Sequence, residues 1–109
     1  YSPCIEHGIK AGMGKFQTEE KLATEVGYWP IFRFDPRLVE KGKNPLQLDT
    51  RNPAWEKYEE FLLGERRYAT LAAEFPEKAK ELLETNLKNA KDNWNYYKRM
   101  AAMDYSIEE

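Results

Sequence analysis

The segment GYWPIFRFDPRLVEKGKNPLQLDT, residues 27–50, decides how the rest of the chain is arranged. Apolar and polar positions alternate along 30–35 and again along 46–49, which is the period of a β-strand. Proline, glycine and asparagine fill the stretch between them, so the pattern predicts two antiparallel strands with a long connection. Pro30 has no amide hydrogen to donate, which places it in an edge strand or at a strand start. Since a strand pair is not stable alone, helices must cover it.

A short helix is predicted before this segment. Thr18 precedes two glutamates, and a hydroxyl followed by carboxylates is typical of a helix N-terminus. Leu22, Ala23 and Val26 then share one helical face. Gly27 is expected to end the helix, because glycine readily adopts the left-handed conformation found there.

Two longer helices are predicted after the strand pair. Asn52 and Pro53 indicate a helix start, and apolar residues at three- and four-residue steps continue to Phe75, with a weak point at Gly64. Pro76 begins a second amphipathic helix of about 26 residues. With a proline-marked turn between them, the two helices should pack as an antiparallel hairpin.

At 109 residues the chain is expected to form one domain with a single core. The predicted class is α+β and helix-rich, with a short antiparallel strand pair packed against a C-terminal antiparallel helical hairpin. Residues 1–50 carry the short helix and the strand pair. Residues 51–109 carry the hairpin.

The composition argues against several functions. A net charge of -2 and a pI near 5.6 disfavour a nucleic-acid groove, which requires a basic stripe. No stretch approaches the ~20 apolar residues of a membrane span, and none has the pattern of a signal peptide. A single cysteine cannot form an internal disulfide, which agrees with a reducing compartment. We therefore expect a cytoplasmic protein that binds neither nucleic acid nor membranes.

Cys4 and His7 are the first candidates for chemistry, as the only thiol and the only imidazole. A thiolate near a histidine is typical of a nucleophile or of part of a metal site. Two ligands do not complete a metal site, however, and an ordinary structural role also fits both residues. Spacing alone leaves these alternatives open.

Most carboxylates lie in helical or terminal runs that are usually solvated. These are Glu19, Glu20, Glu59, Glu60, Glu108 and Glu109. Glu65 is the exception, because it falls on the inward stripe of its predicted helix. We expect it to form a structural ion pair with Arg33 or Arg37 rather than to act in catalysis.

Five motifs, taken in order, resemble the C-terminal part of the pyruvate:ferredoxin (flavodoxin) oxidoreductases. They are YSPC at 1–4, GMGKFQ at 12–17, GYWPIFRFDPRL at 27–38, GKNPLQLDT at 42–50 and FLLGERRYATLAAEFPE at 61–77. The similarity covers nearly the whole chain, and the series GYWP, FDPRL and GKNPLQLD in that order is specific.

The resemblance implies that the chain is the C-terminal piece of a thiamine diphosphate-binding α/β domain in a longer parent protein. The parent would oxidatively decarboxylate pyruvate with coenzyme A to acetyl-CoA and carbon dioxide, using thiamine diphosphate and Mg²⁺. Its electrons would pass through 4Fe-4S clusters to ferredoxin or flavodoxin. The implied partner of the chain is the remainder of the parent polypeptide, and the parent is expected to be a homodimer.

The resemblance also assigns a role to Cys4. The cysteine of the motif that reads YSPC here is similar to the fourth thiolate of the cluster nearest the thiamine. A 4Fe-4S cluster requires four ligands, and this chain supplies one. No catalytic residue of the family carries over to His7 or Glu65. The isolated fragment is therefore expected to bind no cofactor, to be inactive, and to expose a strand edge and an apolar patch around 28–35.

Two alternatives come from other functional classes. The chain could be an autonomous helical interaction module, whose aromatic hairpin binds a partner protein and whose Cys4 is incidental. It could also be a thiol enzyme that uses Cys4 with His7, in which case the pKa of the thiol should lie well below ~8.5.

Overall fold

A computed structural model describes residues 8–107 of the chain. Within this range the chain forms five α-helices and two β-strands. In chain order they are α1 (Phe16–Glu25), β1 (Phe32–Phe34), α2 (Arg37–Glu40), β2 (Leu46–Leu48), α3 (Tyr58–Gly64), α4 (Arg66–Glu74) and α5 (Pro76–Ala101). Short 3-10 helices precede α1 at Met13–Lys15 and α3 at Trp55–Lys57. The described chain is thus helix-rich with one short sheet, as the sequence predicts.

Helix α1 ends where the sequence predicts but begins earlier. Gly27 follows it with φ of 83°, the left-handed conformation that favours glycine. Thr18 lies inside the helix, which begins at Phe16 without a side-chain cap. The preceding 3-10 turn, closed by a 3.0 Å hydrogen bond from the Lys15 amide to the Gly12 carbonyl, already winds the chain before Thr18. The prediction that Thr18 caps the helix is therefore wrong.

The two predicted strands pair antiparallel, with Phe32 opposite Leu48 and Phe34 opposite Leu46. Helix α2 occupies part of the connection that the sequence predicts as a loop. Strand β2 packs against α5, whereas all three residues of β1 are exposed. The strand pair thus uses only one of its two strands to contact the helices strongly.

Helix α3 begins later than the start predicted at Asn52 and Pro53. The amide of Ala54 donates to the carbonyl of Glu25 at 2.7 Å, which ties this part of the backbone to the end of α1. The chain turns into a helix only after that contact, so the predicted start is wrong.

The single helix predicted to reach Phe75 is instead two helices. Glu65 has φ of -84° and ψ of 122°, which are extended values, and it separates α3 from α4. The sequence predicts only a weak point at Gly64. The stronger interruption has a tertiary cause, because another segment pairs with the chain at this position.

Helix α5 is 26 residues long and has a proline in its first turn, as the sequence predicts. Phe75 alone connects it to α4, and the two helices pack against each other. Near its C-terminal end, the indole nitrogen of Trp94 donates to the carbonyl of Thr50 at 2.8 Å. The side-chain amide of Asn44 donates to the carbonyl of Met100, also at 2.8 Å. These bonds hold the strand pair on α5.

The core lies where α1, α3 and α5 meet. Its buried residues are Ala23, Val26, Tyr58, Phe61, Leu62 and Ala90. The hydroxyl of Tyr58, one of the most buried side chains, donates to the side-chain oxygen of Asn86 on α5. A buried phenol needs such a partner, since an unpaired polar group in a core is costly.

Candidate functional site

Cys4 and His7, which the sequence singles out for chemistry, lie outside the described residues. The role of Cys4 as a cluster ligand therefore stays a prediction. The structure describes the chain from Gly8 onwards, so it shows where the segment that follows Cys4 joins the fold.

Residues 8–10 join the fold at the interruption between α3 and α4. Ile9 forms an antiparallel bridge with Glu65, and the Ile9 side chain is only 2% exposed. We call this arrangement of residues 8–10 against residues 64–66 the break joint. It anchors the chain four residues after Cys4.

Two backbone hydrogen bonds close the break joint. The amide of Lys10 donates to the carbonyl of Gly64 at 2.8 Å. The amide of Arg66 donates to the carbonyl of Gly8 at 3.1 Å. A continuous helix would use these backbone groups internally, so the interruption makes the docking of residues 8–10 possible.

A carboxyl group packs directly on the break joint. The side-chain oxygens of Glu19 lie so close to Gly64 that a Cβ built there would be 2.6 and 2.7 Å from them. Those distances are shorter than van der Waals contact. Because glycine has no side chain, position 64 leaves room for the carboxyl of Glu19.

The Glu19 carboxyl is itself buried, with 7% of the residue exposed. Its Oε1 atom accepts no hydrogen bond from the residues that the structure describes. Burial, with smaller contributions from the negative charges of Glu65 and Glu60, raises the pKa of Glu19 from 4.5 to about 7. Near neutral pH a large fraction of this carboxyl is uncharged.

The interpretation of Glu19 as a solvated helical carboxylate is wrong. Glu19 lies three, four and seven residues before Leu22, Ala23 and Val26, so it shares their helical face. That spacing is the sequence feature that could have indicated the burial of Glu19. The sequence does not show which surface covers the face, and this decides the burial.

The ion pair predicted for Glu65 does not form with the partners named for it. Arg33 pairs with Asp49 at 2.9 Å, across the strand pair. Arg37 pairs with Asp35, also at 2.9 Å, within the loop after β1. Both arginines thus pair with aspartates rather than with Glu65.

One cysteine is too few to hold a whole iron-sulfur cluster. A 4Fe-4S cluster requires four thiolates, and Cys4 is the only cysteine in the sequence. Between residues 8 and 107, no three His, Cys, Asp or Glu side chains are grouped so that they could hold a metal ion. A neutral Glu19 can instead donate or accept a hydrogen bond, which suits a structural role.

Exposed apolar side chains lie on and just before β1, where the sequence predicts an apolar patch. The exposed fractions are 45% for Ile31, 46% for Phe32 and 61% for Phe34. We call these three residues the β1 surface. The ring of Phe32 stacks on Tyr97 of α5 with 5.3 Å between centroids, which covers only part of the surface.

Known proteins match this chain over almost its entire length. Pyruvate:ferredoxin oxidoreductase of Moorella thermoacetica is 45% identical over 101 residues, 93% of the chain. Mitochondrial NADP(+) pyruvate dehydrogenase of Euglena gracilis is 42% identical over 92% of the chain. Pyruvate-flavodoxin oxidoreductase of Enterobacter agglomerans is 41% identical over 94%. The chain is homologous to a segment of these oxidoreductases.

The chain spans only 8%, 6% and 9% of the lengths of those three relatives. No protein-family model matches it. The resemblance found in the sequence motifs is therefore confirmed by the relatives, each of which matches over a small part of its length.

The helices of the described residues do not meet the requirements of a membrane span. Over residues 8–107, none combines the length and apolar character needed to cross a bilayer. Even α5, with its 26 residues, carries charged side chains along its length.

Proposed function

We propose that this chain is the C-terminal segment of a pyruvate:ferredoxin or pyruvate:flavodoxin oxidoreductase. The parent converts pyruvate and coenzyme A to acetyl-CoA and carbon dioxide, releasing two electrons and one proton by the stoichiometry of the reaction. The observation that carries this proposal is 45% identity over 93% of the chain to an enzyme of that name. This assignment implies that the parent uses thiamine diphosphate, Mg²⁺ and 4Fe-4S clusters.

Within the parent, the chain completes the thiamine-binding domain and supplies one cluster ligand, Cys4. The break joint supports this role, because it anchors residues 8–10 by two backbone hydrogen bonds and a buried isoleucine. A thiolate ligand has to be held in position, and the anchor lies four residues from it. The isolated chain should be inactive, because one thiolate cannot assemble a cluster.

The partners follow from the same assignment. The remainder of the parent polypeptide covers this chain, and the parent acts as a cytoplasmic homodimer that passes electrons to ferredoxin or flavodoxin. The relatives' names include ferredoxin, flavodoxin and NADP(+). The electron acceptor is therefore a property of the parent, set outside this chain.

The proposal is tested by replacing Cys4 with serine in the full-length protein and counting iron per chain. We expect Cys4→Ser to lower the iron content by up to one cluster and to impair reduction of the acceptor. Ser2→Ala, in the same segment, is the matched control and should leave both unchanged. Unchanged iron together with unchanged acceptor reduction in Cys4→Ser would defeat the ligand assignment.

A second candidate function is an autonomous helical interaction module. The exposure of Tyr96 and Phe75, at 59% and 60%, favours it, because aromatic side chains are common anchors at protein interfaces. The genomic reading frame separates the two candidates. Upstream coding sequence with CxxC pairs supports the oxidoreductase, and a start codon just before Tyr1 supports the module.

A further inference from the structure

The outer edge of β1 carries backbone groups without a partner. The amide of Asp35 donates to a carbonyl beside β2 at 2.9 Å, and the carbonyl of Ile31 accepts from an amide beside β2 at 2.8 Å. Because backbone groups alternate in direction along a strand, Phe32 and Phe34 point theirs away from β2. The sheet has no third strand within residues 8–107. The amides and carbonyls of these two phenylalanines are therefore open to another strand.

Two prolines limit this open edge. Pro30 and Pro36 are the next residues whose amides would point outward, and proline has no amide hydrogen to donate. Prolines in an edge strand restrict pairing with other chains, and here they leave only the two phenylalanines between them available. Each proline is three residues from Arg33, so the edge has the same pattern in both directions. An antiparallel copy of such an edge matches it.

We propose that β1 pairs antiparallel with β1 of a second copy of this chain, about a two-fold axis at Arg33. In this register Phe32 of each copy lies opposite Phe34 of the other and exchanges both backbone hydrogen bonds with it. Every outward amide and carbonyl of the two residues then has a partner, and the prolines face each other. The contact is isologous, as two-fold interfaces are. The inference does not depend on the proposed function, because it uses only residues that the structure describes.

The same register covers the exposed rings of the β1 surface. Phe34 is 61% exposed, and its ring would pack on the Phe32 ring of the other copy, since Cβ atoms of opposite residues lie about 4.5–5.5 Å apart. Aromatic cross-strand pairs of this kind stabilise a sheet. Phe32 already stacks on Tyr97, which in turn contacts Tyr96 edge-on. The ring of Phe34 would thus join an aromatic cluster that extends beyond the strand.

The charges on the strand permit this contact. Two Arg33 side chains would lie directly opposite each other, and like charges in that position are destabilising on their own. Each Arg33, however, is paired with Asp49 of its own copy at 2.9 Å. Asp35 of the other copy would lie diagonally across, within reach of a long side chain, and it pairs with Arg37. Each arginine at the contact is therefore matched by an aspartate.

The first test follows amide hydrogen exchange by NMR in the 109-residue chain. Spectra are recorded at two concentrations about a hundredfold apart, and sedimentation velocity gives the fraction of dimer at each. The amides of Phe32 and Phe34 should exchange at least about tenfold more slowly in the dimer than in the monomer. The amide of Asp35, which is bonded within the strand pair, is the internal control and should change little. A chain that stays monomeric, or a dimer without this slowing, would overturn the pairing.

The second test fixes the register by a disulfide. Arg33→Cys is made together with Cys4→Ser, so that it is the only thiol in the chain. On the axis the two Cα atoms would be about 4.5 Å apart, which a disulfide can span. Mild oxidation should therefore link the dimer covalently.

Gln47→Cys in the same background is the matched control for the disulfide. Gln47 lies opposite Arg33 on β2 and is also exposed. Its two copies would be about 14 Å apart across the four-stranded sheet, so they should not link. Equal linking in the two variants, or an Arg33→Cys dimer that does not link, would overturn the register.

The third test identifies the occupant of the edge in the full-length protein. A benzoylphenylalanine introduced at Phe34 is activated by light, and the linked peptides are identified by mass spectrometry. Two copies of the peptide that contains residue 34, linked to each other, would support the proposal. A link to a peptide outside these 109 residues would show that another strand of the parent occupies the edge, and would overturn it. Neither result depends on whether Cys4 binds a cluster.

Discussion

The break joint and the β1 surface reverse the usual distribution of side chains. At the joint, a carboxyl group is 7% exposed. On β1, the ring of Phe34 is 61% exposed. Side-chain chemistry alone favours the opposite arrangement. The joint encloses its polar group with contacts from within the chain, whereas the β1 surface leaves apolar area uncovered.

This difference separates a region that the chain's own residues pack closely from a region that they leave exposed. Around α1, the residues of three helices and the N-terminal segment interlock, so a substitution should act on stability. On β1, the neighbouring residues leave most of Phe34 uncovered, so a substitution there should act on association.

Gly27→Ala should have the largest effect on stability. A Cβ at the end of α1 would lie 2.6 Å from the Trp55 ring and 2.9 Å from Pro53. The left-handed conformation adds strain, so we expect a loss of about 3–4 kcal/mol in the free energy of unfolding. Guanidinium unfolding followed by tryptophan fluorescence measures the loss.

Gly12→Ala is the control for that substitution. Gly12 also has positive φ, at 101°, but no atom lies within 4 Å of the added Cβ. With ψ of 153° it occupies a backbone region used almost only by glycine, so it should cost only the conformational strain, about 1–3 kcal/mol. Equal losses in the two variants would show that packing against Trp55 contributes nothing.

The second effect is the pH dependence of stability due to Glu19. Its folded-state pKa of about 7 exceeds the ordinary 4.5, so the folded state holds a proton that the unfolded state has lost between these values. This contribution is fully present below pH 4.5 and is lost as the pH rises through 7. From pH 5 to 8 it amounts to at most about 3 kcal/mol.

The free energy of unfolding is measured against pH for the wild type and for Glu19→Gln. The difference between the two isolates the contribution of Glu19 from those of other titrating groups. The wild type should lose stability relative to the variant as the pH rises. A difference that is constant from pH 5 to 8 would mean that Glu19 titrates normally.

The smallest effect on stability is expected on the β1 surface. Phe34→Thr keeps a residue that favours strands and removes a mostly exposed ring, so the free energy of unfolding should change by less than about 0.5 kcal/mol. Association should change more. Gel filtration of the isolated chain over a tenfold dilution should show self-association in the wild type and less of it in Phe34→Thr.

Binding of a hydrophobic dye gives the same comparison without a column. The wild type should bind the dye and Phe34→Thr should bind less. A wild type that stays monomeric and binds no dye would contradict the assignment of β1 as a covered surface in the parent.

The sequence predicts the features that depend on neighbouring residues. The glycine end of α1, the antiparallel pairing of β1 with β2, and the start and length of α5 all follow from local patterns. Each is set by residues close in sequence or by a repeated period. The structure agrees with the sequence at these points for that reason.

The features that the sequence does not predict depend on contacts between distant segments. The interruption at Glu65 is paired with Ile9, and the late start of α3 follows from the bond between Ala54 and Glu25. The burial of Glu19 depends on α3 lying over its face. The assignment of Cys4 comes from a resemblance in sequence alone.

The bond between the Trp94 indole and the Thr50 carbonyl makes the emission of Trp94, one of three tryptophans, sensitive to the docking of the sheet. Thr50 lies two residues after the second strand, and its amide donates to the carbonyl of Ile31 at 3.2 Å, so its carbonyl moves with the sheet. If a covering surface pulls the sheet away from the long helix, the indole loses its acceptor and meets water, and its emission shifts to the red. Docking of the sheet could therefore be followed by light, without any added label.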